Sequence, residues 1–235
     1  MSDAYTPRPD LYDLEYGFKD YPGECARIVE LVRARNPNAR TLLDVACGTG
    51  KHLELLRRHF DEVEGVDLDE GLLGVARERL PGVPLHRGDM RTFDLGRRFD
   101  VVTCLFSSIG FVRDLEGLAA AAGRLAAHVA PGGVLLVEPW ITPERWIPGR
   151  PHLLTAERDG LVVARVTVSG VEGRISSTDM HYLVGRPDGV ESFAKYAELG
   201  LFTDDEMRVA LEGAGLTVEH DPEGLIGRGL WIGVR

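Results

Sequence analysis

Leu42-Leu43-Asp44-Val45-Ala46-Cys47-Gly48-Thr49-Gly50 is an apolar run that closes on an acid and a turn of small residues. It reads as a buried strand, Thr41 to Val45, feeding a ligand loop in which Gly48 and Gly50 permit backbone angles and a close approach that a side chain would block. A helix beginning near Lys51 then aims its amide groups at the same space, and such a helix start attracts carboxylates and other anions. Counting excludes two other glycine loops. A dinucleotide fingerprint, GxGxxG, needs glycine where Leu53 stands; a P-loop needs Ser or Thr where His52 follows Lys51, and glycine where Val45 stands. What fits is acid-x-(Gly/Ala)-x-Gly-x-Gly, with Ala46 at the first small position.

The chain on either side alternates strands and helices. Upstream, residues 1–20 hold Tyr5, Tyr12 and Tyr16 without a clean period, which predicts an arm or short helical turns; Tyr21 to Asn36 has helical spacing and stops at Pro37. Downstream, strands are predicted at Glu62–Asp67, Leu85–Arg87, Phe99–Phe106 and Val134–Glu138. Helices are predicted from Asp69, as cap, to Leu80, and over Leu115–Val129, closed by Pro131-Gly132-Gly133. This order specifies right-handed βαβ units and an α/β, Rossmann-like, doubly wound, mostly parallel sheet. Between about 139 and 201 the pattern becomes glycine-punctuated alternation, which predicts an antiparallel insertion. Thr203 with Glu206 reads as a capping box opening a last helix, followed by strands at Leu216–His220 and Leu230–Val234. At 235 residues one domain, 1–235, is expected.

A net charge of −10 without a basic run argues against a nucleic-acid partner. Cys25, Cys47 and Cys104 are an odd, scattered set, which predicts a reducing cytoplasm and neither disulfides nor metal. MSDAYTPRPD has no apolar core of signal length, and no run approaches the ~18 residues of a membrane span, so no membrane association is expected.

In open α/β sheets, ligands lie beyond the carboxyl ends of the strands. Those ends offer Asp67, suited to accept both hydroxyls of a ribose, and Asp89, suited with an adjacent amide to the edge of an adenine whose faces Met90 and Leu105 would cover. With the glycine loop, this set resembles the first motifs of class I S-adenosylmethionine (SAM) methyltransferases. Asp44 is expected to order the loop and the ligand's amino group, with Tyr12 and Tyr21 closing over its amino-acid end; Ala46, Gly48, Thr49, Gly50 and Leu68 complete the expected cofactor contacts.

The resemblance extends over nearly the full length through YDLEYGFKDY, LLDVACGTGKHL, HRGDMRTFDLGRRFDVVTCLFSSIGF, VEPWITPE and GRGLWIGV. These stretches are similar to the sugar N,N-dimethyltransferases of macrolide antibiotic biosynthesis, which act on TDP-3-amino-3,6-dideoxyhexoses. The resemblance implies a homodimer, a seven-stranded SAM-binding sheet with an antiparallel insertion, SAM converted to S-adenosylhomocysteine, and two successive methyl transfers. Phe111 departs from the family, whose members often carry His or Tyr there, and leaves the sugar and the amine position open.

Only a neutral amine attacks a sulfonium; a simple alkyl ammonium has a pKa near ~10.4. Sugar oxygens and a dry pocket lower it, so proximity and desolvation suffice without an obligatory base. Tyr12, Tyr16, Glu138 and His181 are the candidates to orient the amine or take its proton. Arg228, between two glycines, is the candidate for the pyrophosphate, with Lys19 and Arg150 behind it; Ser107, Trp140 and Trp146 are candidates to border the acceptor. Alternative readings keep SAM but change the acceptor to a non-nucleotide amine or hydroxyl, or make the chain a SAM-binding subunit without catalysis.

Overall fold

The computed structural model describes residues 8–235; Tyr5 and the rest of residues 1–7 lie outside it. Two short helices come first, α1 (Pro9–Glu15) and α2 (Tyr21–Arg35), the second capped by Asp20 accepting from the Gly23 amide. Five strands then alternate with helices: β1 (Thr41–Val45), α3 (Lys51–Leu56), β2 (Glu62–Asp67), α4 (Glu70–Arg79), β3 (Leu85–Arg87), β4 (Phe99–Cys104), α5 (Leu115–Ala127) and β5 (Val129–Val137). Four long strands follow, β6 (Pro151–Arg158), β7 (Leu161–Glu172), β8 (Ile175–Arg186) and β9 (Gly189–Gly200). Last come α6 (Asp204–Gly213), β10 (Thr217–Asp221) and β11 (Leu230–Val234).

The main sheet has seven strands in the order β10-β11-β5-β4-β1-β2-β3, parallel except that β11 runs against both its neighbours. The expected α/β architecture with an antiparallel insertion is therefore present. Its apolar strands are covered on both faces. On one side Leu118, Ala122 and Leu125 of α5 and Met207 and Leu211 of α6 pack with Val102 and Leu135; on the other, Ile28 and Val32 of α2 and Leu53 and Leu56 of α3 pack with Leu42, Val101 and Leu136. The crossover direction reverses between β1 and β4, which opens a crevice at their carboxyl ends.

β6 to β9 form a separate antiparallel sheet. Its inner face buries Val163, Met180, Tyr182 and Val184 against Leu11 and Leu14 of α1, so the insertion and the N-terminal helix share one small core.

Three boundaries differ from the sequence reading. β4 ends at Cys104, because Phe106 and Ser107 turn to left-handed angles (φ 52° and 65°). α5 ends at Ala127, and the chain re-enters the sheet at once: Val129 pairs with Phe99, and after a bulge Val134 pairs with Val101. The Pro131-Gly132-Gly133 stretch is that bulge; a Cβ on Gly133 would stand 2.8 Å from the Ala130 carbonyl oxygen.

Candidate functional site

A single cavity of about 990 Å³ lies between the carboxyl ends of β1 to β4 and the inner face of the insertion. On the main-sheet side, Gly48 faces it at φ 56° with open space where a Cβ would point, and its amide donates to Asp67 Oδ2 at 2.7 Å. The Asp69 amide donates to Asp67 Oδ1 at 2.8 Å. A carboxylate offers about four lone-pair sites, so two remain for hydroxyls of a bound sugar. Burial raises the Asp67 carboxyl to about 6. Asp89 is paired with Arg91 at 2.5 Å, which holds it below the usual carboxylate range. Ala46, at φ 60°, Leu68 and Met90 complete this wall.

Several expected contacts lie behind the wall instead. Asp44 is enclosed, accepts from Thr103 Oγ1 at 2.7 Å across the β1–β4 pair, and is raised to about 6 by burial. The Thr49 hydroxyl donates to Asp13 at 2.6 Å, and Arg79 of α4 pairs with Asp13 and with the Thr49 carbonyl, clamping α1 onto the glycine loop. Gly50 is the left-handed cap of α3, tight against Leu80. Leu105, expected on an adenine face, packs into the core beside Val101 and Leu136, because the chain has turned before its side chain reaches the crevice. Tyr21 stands edge-on to His52 at 4.9 Å rather than at the cavity.

Across the cavity, Tyr12 and Tyr16 project from the N-terminal segment, their rings 4.7 Å apart, and Tyr16 meets Phe106 edge-on at 5.0 Å. Phe106 and Ser107 form a strained strap. A left-handed residue costs about 1–2 kcal/mol; the Phe106 amide donates to buried Glu138 Oε2 at 2.6 Å, and a hydrogen bond to a charged group contributes about 1.5–3 kcal/mol, enough to hold it. Ser107 donates to the Pro139 carbonyl at 2.9 Å and accepts from Arg228 at 2.8 Å. Arg228 lies over Trp140 at 4.9 Å. Glu138 is thus 0% exposed and outside the cavity lining, a support for the strap rather than a group at the acceptor. Lys19 borders the cavity but is enclosed, paired with Glu24 at 2.9 Å and set over the Phe106 ring at 3.9 Å. Arg150 is exposed, and Trp146 donates to the Gly170 carbonyl, away from the lining.

His181 is a correction. It alternates to the outer face of β8, 65% exposed beside Asp179, while Met180 points inward. The inward residues of the insertion were missed by the sequence reading. Arg165, Thr167, Thr178 and Lys195 all border the cavity. Their signal was present: Arg165 and Thr167 interrupt an apolar run with the period of two that puts both on one face.

Comparison with known proteins adds to this geometry. Residues 42–133 match the methyltransferase domain family model. A dTDP-3-amino-3,6-dideoxy-alpha-D-glucopyranose N,N-dimethyltransferase from Streptomyces fradiae is 47% identical over 96% of this chain and 89% of its own length. A dTDP-4-amino-2,3,4,6-tetradeoxy-D-glucose N,N-dimethyltransferase from Saccharopolyspora spinosa is 41% identical over 100% and 95%. The chain belongs to this family of SAM-dependent N,N-dimethyltransferases. The methyltransferase also superposes on CalS10, an amino pentose methyltransferase of calicheamicin biosynthesis from Micromonospora echinaspora whose structure holds SAM. The TM-score is 0.89 at 42% identity, covering 96% of each chain. The open space at Gly48 and the two free acceptor positions of Asp67 fit that cofactor.

Proposed function

We propose that this methyltransferase N,N-dimethylates the amine of a TDP-linked amino-deoxy sugar in antibiotic biosynthesis. The observation that carries the reading is the single cavity shared by the acid-bearing strand ends and the insertion. Its volume of about 990 Å³ sits at the upper end for small-molecule sites, with room for cofactor and acceptor together.

Bound SAM supplies an electrophilic methyl on a sulfonium. Asp67 takes the ribose hydroxyls, Asp89 and Met90 the adenine edge, and Gly48 lets the cofactor approach the backbone, with Ala46 and Leu68 beside it. Tyr12 and Tyr16 close over the acceptor. With Phe106 they present aromatic rings to the cavity, and an apolar surrounding disfavours an ammonium and leaves the amine neutral and nucleophilic. Their hydroxyls orient its lone pair and pass on the proton released after each transfer. Trp140, Ser107 and Arg228 form the far wall.

The mass of the product formed from SAM and a TDP-amino sugar tests the reading. A gain of two methyl groups is expected; no turnover on any nucleotide-linked amine refutes it. The buried, free Cys25, Cys47 and Cys104 support a cytoplasmic setting. A homodimer is part of the same proposal, through the outer face of the insertion, where Leu153, Val166, Val168 and Leu183 are exposed together. Sedimentation of the full chain as a monomer would refute that part.

A further inference from the structure

The segment that carries Tyr12 and Tyr16 belongs to neither sheet. α1 is seven residues long, and Arg8 before it makes no side-chain cap. A helix of that length has no stability of its own in water, so its docking contacts decide where it lies. Helical spacing gives it three faces. Leu11, Leu14 and Glu15 form the first: the leucines share the small core of the insertion, and Glu15 pairs with Arg165 and accepts from the Tyr182 hydroxyl at 3.1 Å. Tyr12 and Tyr16 form the second and border the cavity. Asp13 stands on the third.

Asp13 joins α1 to the main sheet. One carboxylate oxygen accepts from the Thr49 hydroxyl at 2.6 Å; the other pairs with Arg79 at the end of α4, which donates in turn to the Thr49 carbonyl. Arg79 Nε lies 3.4 Å from Glu54 of α3. The Asp13 and Arg79 side chains are 11% and 16% exposed, so salt screens the pair little. Asp13, Thr49 and Arg79 are outside the cavity lining, whereas Gly48, next to Thr49, and Tyr12, next to Asp13, are in it. The joint therefore connects the loop that faces the cofactor to the helix that carries the tyrosines, across 36 residues of chain.

Methyl transfer asks for more than two occupied sites. The amine nitrogen must stand about 3–3.5 Å from the methyl carbon and in line with its bond to sulfur, and a misplacement of about 1 Å costs about 100-fold in rate. We infer that Asp13 and Arg79, acting through Thr49, are positioning residues that set the distance from acceptor amine to methyl donor; this rests on the reading above, in which Tyr12 and Tyr16 hold the amine of a nucleotide-linked sugar. The nitrogen lone pair forms the N–C bond as the C–S bond breaks and leaves its electron pair on sulfur, and the proton departs through the tyrosine hydroxyls. The joint touches none of these atoms and fixes where they meet.

Single-turnover methylation of a TDP-amino sugar by the full chain, with SAM and acceptor both saturating, tests this. Asp13→Asn keeps the side chain's size but turns an amide N–H toward Arg79, and is expected to slow transfer about 10- to 100-fold. Thr49→Val removes the hydroxyl alone and is expected to slow it about 3- to 10-fold. Dissociation constants for acceptor and for S-adenosylhomocysteine, by calorimetry, stay within about threefold of wild type, because the joint meets neither ligand. Asp13→Asn combined with Arg79→Gln is expected to be no slower than the slower single variant, since both break one joint. Transfer within about twofold of wild type in both Asp13→Asn and Thr49→Val overturns the inference, as does a loss of S-adenosylhomocysteine affinity that matches the loss of rate, or multiplied losses in the double variant. Where Asp13→Asn does not fold, Thr49→Val decides by the same measures; if neither shows a cooperative melting transition, the joint serves folding alone and the inference is overturned. A wild type that methylates no nucleotide-linked amine refutes the acceptor reading itself, and the inference falls with it.

Discussion

On the seven-stranded sheet, the groups that face the cavity sit in short stretches at consecutive strand ends: Gly48 after β1, Asp67 closing β2, Asp89 after β3. On the insertion, the facing groups are single residues spaced along three strands and separated by outward neighbours: Arg165, Thr167, Met180, Lys195. The first wall is rich in acids and backbone amides, suited to a cationic ligand with hydroxyls to donate. The second is rich in side-chain donors, suited to an anion. The two walls differ because a parallel sheet, covered on both faces, exposes only its ends, whereas an antiparallel sheet exposes a whole face. One cavity therefore presents an acid-rich surface on one side and a donor-rich surface on the other.

The largest expected effect attacks the strand-end wall at its backbone. Gly50 has φ 76°, and a Cβ there would meet Leu80 Cδ1 at 2.7 Å. Gly50→Val should cost about 3 kcal/mol or more, combining left-handed strain with overpacking, measured by urea denaturation. A variant within about 0.5 kcal/mol of wild type would show that the loop does not need this cap. Next, Asp67→Asn should weaken SAM about 10- to 100-fold in calorimetry yet leave TDP binding within about twofold. Parallel losses of both ligands would erase the distinction between the walls.

Acidification should act on one wall in two opposite senses. Asp67 and Asp44 have folded values near 6, raised by burial above an unfolded aspartate. The stability they contribute to the empty protein is present at low pH and lost as pH rises through about 6. Ligand-free melting temperature should therefore gain from these two groups between pH 7 and pH 5. SAM affinity should fall about tenfold over the same window, as Asp67 becomes protonated and stops accepting from the ribose. Affinity flat from pH 7 to 5 would remove Asp67 from the cofactor's contacts. The smallest effect is His181→Ala, expected to hold kcat and KM within about twofold in a steady-state methylation assay, because that side chain lies on the opposite face of the insertion from the cavity. A larger change would mean that the outer face communicates with the site.

The succession of strands and helices and the acids at the strand ends were legible because their signals are local. An apolar run, a terminal acid and a glycine turn fix Asp44 to Gly50 within nine residues, and the Thr203–Glu206 capping box within four. What only the tertiary structure decided is which of those residues reach the cavity. Leu105 and Phe106 are adjacent in sequence, yet one enters the core and the other the site, because a left-handed turn supported by Glu138, 32 residues away, reverses the chain between them. Likewise the alternation along β8 says that His181 and Met180 face opposite ways but not which way is inward. That depends on where Leu11 and Leu14 of α1 dock, a contact between segments more than 160 residues apart. Local chemistry fixes conformation within a few residues. Burial is a property of the assembled chain, and for a strand open on one side it determines which half of the residues does the binding.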